Sequence, residues 1–223
     1  MSIADNLRRV REQVAAACER AGRSPDEVTI VGVSKTFPPE AIAEACRAGL
    51  TDIGENRVQE ALRKIPLVES QDLHPRWHLV GHLQTNKAKI ALGLFGIIHS
   101  VDSLHLAEAL SRRAAQPVPV LLEVNVAGEA SKFGFAPEEV AQAYRQITGL
   151  PNLDVQGLMT VAPLLPDPEE VRPLFRRLRE LRDELGLREL SMGMTDDFEV
   201  AIEEGATMLR IGRAIFGPRP FEE

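Results

Sequence analysis

Residues 30–39 read IVGVSKTFPP, a run of β-branched and apolar residues that ends in one lysine and two prolines. Lysine is almost never fully buried without a partner, so Lys35 either reaches solvent or is held for chemistry. An amine in a partly desolvated pocket gives up its proton more readily and then attacks a carbonyl carbon. Two later segments complement it. In LSMGMTDDF, Ser191, Met192, Gly193 and Thr195 form a small-residue turn between a strand pattern and a helix start, with Thr195 as a candidate N-cap. In MLRIGRAIFG, Arg210, Ile211, Gly212 and Arg213 stand where a strand pattern runs into one helical turn. Glycine lets an anion approach the backbone, and helix N-termini offer unpaired N–H groups and the positive end of a dipole. Each segment alone reads equally as a tight turn. Together they point to a phosphate grip.

An amine at one end and a phosphate grip at the other suit a phosphorylated aldehyde. Pyridoxal 5'-phosphate held as a Schiff base fits this description, and so does a sugar phosphate processed by a cofactor-free aldolase. Arg210 bears on the choice. A guanidinium is always charged and has no lone pair to accept a hydrogen bond. Facing a pyridine nitrogen, it would keep that nitrogen unprotonated and the ring a weak electron sink; in a strand-end salt bridge it would have no such role. A two-base racemase needs an acid–base group on each face of its substrate. The single tyrosine, Tyr144, lies within the helix pattern PEEVAQAYRQ and reads as a packing residue. His78 and His82 straddle Gly81 and read as hydrogen-bonded structural groups rather than a metal pair.

These residues are spaced by an alternation of strand and helix patterns. Strands are expected near 28–34, 51–54, 77–80, 97–101, 118–126, 155–160, 189–192 and 208–211. Helix patterns lie between them, with prolines at their starts and glycines at their ends, as in PPEAIAEACRAG. DPEEVRPLFRRLRELRDELG places acids first and tolerates Pro173 near its start; its interleaved charges read as a solvated face. About eight such units predict an α/β protein, a single closed (β/α)8 TIM barrel over residues 1–223 with an extra N-terminal helix. A doubly wound sheet is the second choice. In a barrel the active site gathers at the C-terminal strand ends. Thr29, Val31, Val33 and Lys35 share one face of the first strand, which aims Lys35 into the mouth. Asn56 of GENR, Asp102, Asn125, Met159 and Thr160 end other strands.

A net charge of -7 argues against a nucleic-acid backbone as the main partner. No apolar run reaches membrane-spanning length and no signal-peptide core precedes the first helix. Cys18 and Cys46 are expected as reduced thiols in a cytoplasmic protein.

The segments VGVSKTFPPEAI, DIGENRVQEA, WHLVGHLQTNK, HSVDS, LEVNVAGEASKFGF, GLMTVAP, LSMGMTDDFEVAI and MLRIGRAIFG, in that order, resemble the YggS/PROSC-type pyridoxal phosphate homeostasis proteins, a family whose fold is similar to the N-terminal domain of alanine racemase. The resemblance implies pyridoxal 5'-phosphate as cofactor, with Lys35 as its Schiff-base lysine and Arg210 facing the pyridine nitrogen. It places the phosphate at the turns of Ser191, Met192, Gly193 and Thr195 and of Ile211, Gly212 and Arg213, with Asn56 near the ring and Lys132 as a further contact. It implies a carrier that buffers or delivers cofactor, with apo-enzymes as recipients and little catalysis of its own. The alternative is a small fold-type III enzyme, a racemase or lyase of unknown substrate. The chain stops soon after the last strand, without the β domain that supplies a racemase tyrosine, so a monomer is expected.

Overall fold

A computed structural model describes residues 2–129 and 131–218. Eight strands, β1 (Thr29–Val33), β2 (Asp52–Glu55), β3 (Arg76–Leu79), β4 (Ile97–Val101), β5 (Val118–Glu123), β6 (Leu153–Met159), β7 (Glu189–Ser191) and β8 (Met208–Ile211), close in sequence order into a barrel. The closing pair is β8 with β1, parallel, with Val31 beside Arg210 and Gly32 beside Ile211. The expected (β/α)8 barrel is therefore the fold, and closure rules out the doubly wound alternative.

Strands covered on both faces tend to be apolar on both, and most positions here are, with His78, His99, Ser191 and Arg210 as buried polar exceptions. Ile97, Leu121, Met159 and Met208 fill the barrel interior as a cluster of their own. Ile53, Leu79, Ile98, Leu122, Leu158, Leu190 and Leu209 join the larger core under the helices. The sequence pattern overextends one strand. The apolar run after Val118 continues to Val126, but β5 ends at Glu123, beyond which Val124 forms an isolated bridge to Phe135. There the Asn125 amide takes over, donating to the Glu129 carbonyl (2.9 Å) and accepting from the Glu129 N–H (3.3 Å).

The helices are α1 (Ile3–Arg20), α2 (Pro39–Arg47), α3 (Val58–Glu69), α4 (Ala88–Leu92), α5 (Leu104–Ser111), α6 (Val140–Thr148), α7 (Arg172–Glu184), α8 (Phe198–Glu203) and α9 (Arg213–Phe216). The N-terminal α1 buries Leu7, Val10, Val14, Ala17 and Cys18, one stripe at three- and four-residue spacing. It packs against α8 and α9, and its Asn6 amide donates to the Ile215 carbonyl (2.9 Å). Cys18 and Cys46 are both free thiols. The pattern read as one helix from 167 divides in two: a 3-10 turn over Pro168–Val171 precedes α7, which places Pro173 in the first turn, where no N–H is needed. The charged face of α7 is only partly solvated. Arg172, Arg176 and Arg179 converge on Glu204, which is buried at the end of α8. Among the described residues no helix is long and apolar enough to cross a membrane.

Candidate functional site

A cleft of about 420 Å³ opens at the C-terminal end of the barrel, within the size range of small-molecule sites. Its wall draws on the tips of β1, β2, β3, β6, β7 and β8: Val33, Lys35 and Phe37; Asn56; Val80; Val161 and Leu164; Met194, Thr195 and Asp196; Arg210, Gly212 and Arg213. The β1 tip departs from an ideal strand. β1 ends at Val33, and Lys35 stands in the turn that follows, with Thr36 at φ 69°. Phe37 then turns inward against Phe216 of α9, ring centroids 5.3 Å apart. This contact ties the loop after β1 to the one after β8 and brings Lys35 and the Gly212 turn to one cleft.

Arg210 enters from inside the barrel. Its Nη1 donates to the Ser191 carbonyl (2.8 Å) and hydroxyl (2.7 Å), and its Nη2 donates to the Thr160 carbonyl (2.7 Å). From Ser191 a line of buried polar groups crosses the interior: Ser191 Oγ to His99 Nδ1 (2.8 Å), His99 Nε2 to His78 Nδ1 (2.9 Å), His78 Nε2 to Asp52 Oδ1 (2.9 Å). The ends decide the proton positions. A guanidinium only donates and a carboxylate only accepts, so each hydroxyl or ring accepts from the Arg210 side and donates towards Asp52. Burial holds both rings below the usual imidazole range, opposed at His78 by Asp52 and reinforced at His99 by His78 and Arg210. Burial pushes Asp52 up, but its hydrogen bonds from His78 and Thr51 outweigh this and leave it below the usual range. Burial also brings Arg210 down to about 10, with Asp197 and Glu123 opposing, so it stays charged at neutral pH.

Glu123 at the end of β5 is 9 % exposed, and its Oε2 is buried without a hydrogen-bond partner among the described residues. Burial and the nearby Asp102 push its carboxyl up to about 7, with Arg210 opposing. From the ordinary value of 4.5 up to about 7, the unfolded chain releases a proton that the folded one keeps. Stability therefore falls with rising pH across that window, by roughly 3 kcal/mol at about 1.4 kcal/mol per tenfold change in proton activity. Glu123→Gln is expected to match wild type at pH 4 and to exceed it by up to ~3 kcal/mol at pH 8 in urea unfolding. An equal difference at both pH values would contradict this.

Residues 3–220 match the sequence model of the family described as "Alanine racemase, N-terminal domain". A protein of Aquifex aeolicus (strain VF5) named "Pyridoxal phosphate homeostasis protein" is 49% identical over 230 residues, covering 99% of this chain and 100% of that one. The chain belongs to the pyridoxal phosphate homeostasis protein family. Among solved structures, PipY of Synechococcus elongatus PCC7942, described as having PLP bound, is 38% identical with a TM-score of 0.84, covering 97% of this chain and 100% of that one. An alanine racemase of Clostridium difficile 630, at 16% identity and a TM-score of 0.73, covers 98% of this chain and 58% of that one, and shares the fold.

In this member of the homeostasis family, six of the residues singled out from sequence line the cleft: Lys35, Asn56, Thr195, Arg210, Gly212 and Arg213. Four do not. Met192 and Ile211 are fully buried in the core under the helices, because the alternation that turns Ser191 and Arg210 inward turns these two outward. Ser191 is committed to His99 and Arg210 below the cleft. Gly193, at φ 92°, makes the bend, and a Cβ there would lie 2.6 Å from that of Ala201. Thr195 is not the N-cap. That place belongs to Asp197, whose Oδ1 accepts from the Met194 N–H (2.6 Å). Lys132 is not among the lining residues; it donates to the Val161 carbonyl (3.3 Å) and pairs with Glu129. His78 lies inside the barrel, whereas His82 binds Asp102 at the rim and stacks on Phe133 at 3.8 Å. Tyr144 packs on the outer core. Glu123 ends β5, a position the sequence does not signal because the apolar run continues past it to Val126.

Proposed function

We propose that the cleft binds pyridoxal 5'-phosphate through a reversible Schiff base on Lys35, and that the protein buffers or delivers this cofactor with little or no catalysis of its own. One observation carries the reading: a single cleft gathers an amine, a buried guanidinium, an amide, a hydroxyl, a rim arginine and a glycine turn. That donor set fits an aldehyde with an anionic tail. Thr195, Gly212 and Arg213 would hold the phosphate, Asn56 would lie near the ring, and Arg210 would face its nitrogen. When bound, the cofactor supplies a carbonyl that amines can take up and return, and a ring that withdraws electrons best when protonated. Lys35 Nζ would be the amine that takes up this carbonyl, with its oxygen released as water, and hydrolysis would restore both partners. Arg210, charged and without a lone pair, leaves the ring nitrogen unprotonated. Among the described residues the cleft wall holds neither histidine nor tyrosine, and its Asp196 is paired with Arg213. The names of the Aquifex relative and of the PLP-bound PipY structure support the same cofactor. Apo-enzymes that use it are the recipients this reading implies.

The test is borohydride reduction of protein mixed with pyridoxal 5'-phosphate. The expected result is loss of the yellow colour and added ligand mass on the Lys35 peptide, with α-proton exchange of L- and D-amino acids no faster than with free cofactor. Exchange at enzyme-like rates would replace the carrier with a racemase-type enzyme. Colourless protein that traps a sugar phosphate would replace it with an aldolase.

A further inference from the structure

The turn that carries Lys35 is gripped from the helix side by a second lysine. Lys64 of α3 is 9 % exposed, and its Nζ donates to the Ser34 carbonyl (2.9 Å), Glu55 Oε1 (2.8 Å) and Glu60 Oε2 (3.1 Å). The same Glu55 oxygen accepts the Ser34 hydroxyl (2.6 Å), and the same Glu60 oxygen accepts the Thr36 N–H (3.2 Å). The residue before Lys35 is thus held by its carbonyl and hydroxyl, the residue after it by its N–H, and one amine joins the two holds.

Neither neighbour of Lys35 sits in regular structure. β1 has ended at Val33, and Thr36 at φ 69° occupies the left-handed region. A β-branched residue stays there only where its surroundings over-determine the backbone. Covering the outer face of β2 needs no charge. An apolar side chain would do it without desolvating an amine and a carboxylate. Instead all three Lys64 donors are committed around one turn. Burial raises the Glu55 carboxyl, opposed by Lys64 and Ser34, and its Oε2 is left without a hydrogen-bond partner among the described residues. That is a costly arrangement for a purely structural contact.

We propose that Lys64, acting through Glu55 and Glu60, is a positioning residue for Lys35. It fixes the direction in which the Lys35 amine leaves the rim, and so sets how strongly that amine condenses with an aldehyde. The proposal rests on the Schiff-base reading above. The condensation forms the C=N bond at Lys35 Nζ and releases water, and Lys64 exchanges no proton or bond in it.

Lys64→Met tests the clamp with two readouts. In ligand-free protein, the Thr36 amide is expected to exchange with deuterium at least tenfold faster than in wild type. With pyridoxal 5'-phosphate, the concentration needed for half-maximal borohydride trapping on Lys35 is expected to rise at least tenfold, while competition by inorganic phosphate stays within twofold. A general loss of structure would weaken both. Should Lys64→Met fail to fold, Glu55→Gln/Lys64→Met removes both buried charges together, and Glu60→Ala removes the Thr36 acceptor and one of the three Lys64 partners at a half-buried position; both are expected to move the readouts the same way. Folded variants with wild-type exchange and trapping would overturn the proposal. Absence of trapping on Lys35 in wild type would instead overturn the Schiff-base reading, and the exchange measurement would still decide whether the clamp exists.

Discussion

Lys35→Ala is expected to abolish borohydride trapping of pyridoxal 5'-phosphate while leaving weak, reversible binding. Lys35 is one of several groups around the cleft, and the substitution leaves Asn56, Thr195, Arg210, Gly212 and Arg213 in place. Removal of the covalent link should cost at least tenfold in affinity, about 1.4 kcal/mol. Its side chain is half-buried in a turn rather than packed in the core, so unfolding free energy should change by less than about 1 kcal/mol. The decisive measurement is mass analysis of the reduced protein, beside equilibrium dialysis of the unreduced one. Adduct retained by the variant would assign the Schiff base to another lysine and remove the basis for placing the carbonyl near β1.

Arg210→Met should have the largest effect on stability. The change strips three hydrogen bonds and leaves the Thr160 carbonyl in the barrel interior without this donor, while the Ser191 carbonyl keeps only the Thr160 N–H (3.2 Å). A stranded buried acceptor costs about 1–3 kcal/mol, so a loss of ~3 kcal/mol or more is expected in urea unfolding. The loss should depend on pH. Arg210 opposes the rise of Glu123 to about 7. Without the guanidinium the Glu123 carboxyl moves higher still, and the folded chain keeps its proton over a wider range in which the unfolded chain has lost it. The deficit should therefore be greater at pH 8 than at pH 5. A deficit independent of pH would mean that Arg210 and Glu123 do not sense each other, and would argue against a shared charge balance in the mouth.

The barrel was legible because strands covered on both faces are largely apolar, and eight such runs alternate with amphipathic helices. Lys35 was legible for the same reason: it ends one of those runs. Glu123 also ends a strand, but the apolar run continues to Val126, so the sequence pattern places it mid-strand. The turns of Gly193 and Gly212 stand out in sequence, but composition could not assign sides, and Met192 and Ile211 face the helices.

Local chain chemistry sufficed for two things in this protein: the number and order of its strands, and the amine, guanidinium and glycine turns that suit a phosphorylated aldehyde. Those follow from periods of two and 3.6 residues and from what each side chain can donate or accept. Folding alone decided which of these groups meet. Asp52, His78, His99, Ser191 and Arg210 form one hydrogen-bonded line, and Lys64 reaches the turn of Lys35 across the outer side of the sheet. These partners lie on different strands and helices, and their distances are set by barrel closure and helix packing, which no short stretch of sequence encodes.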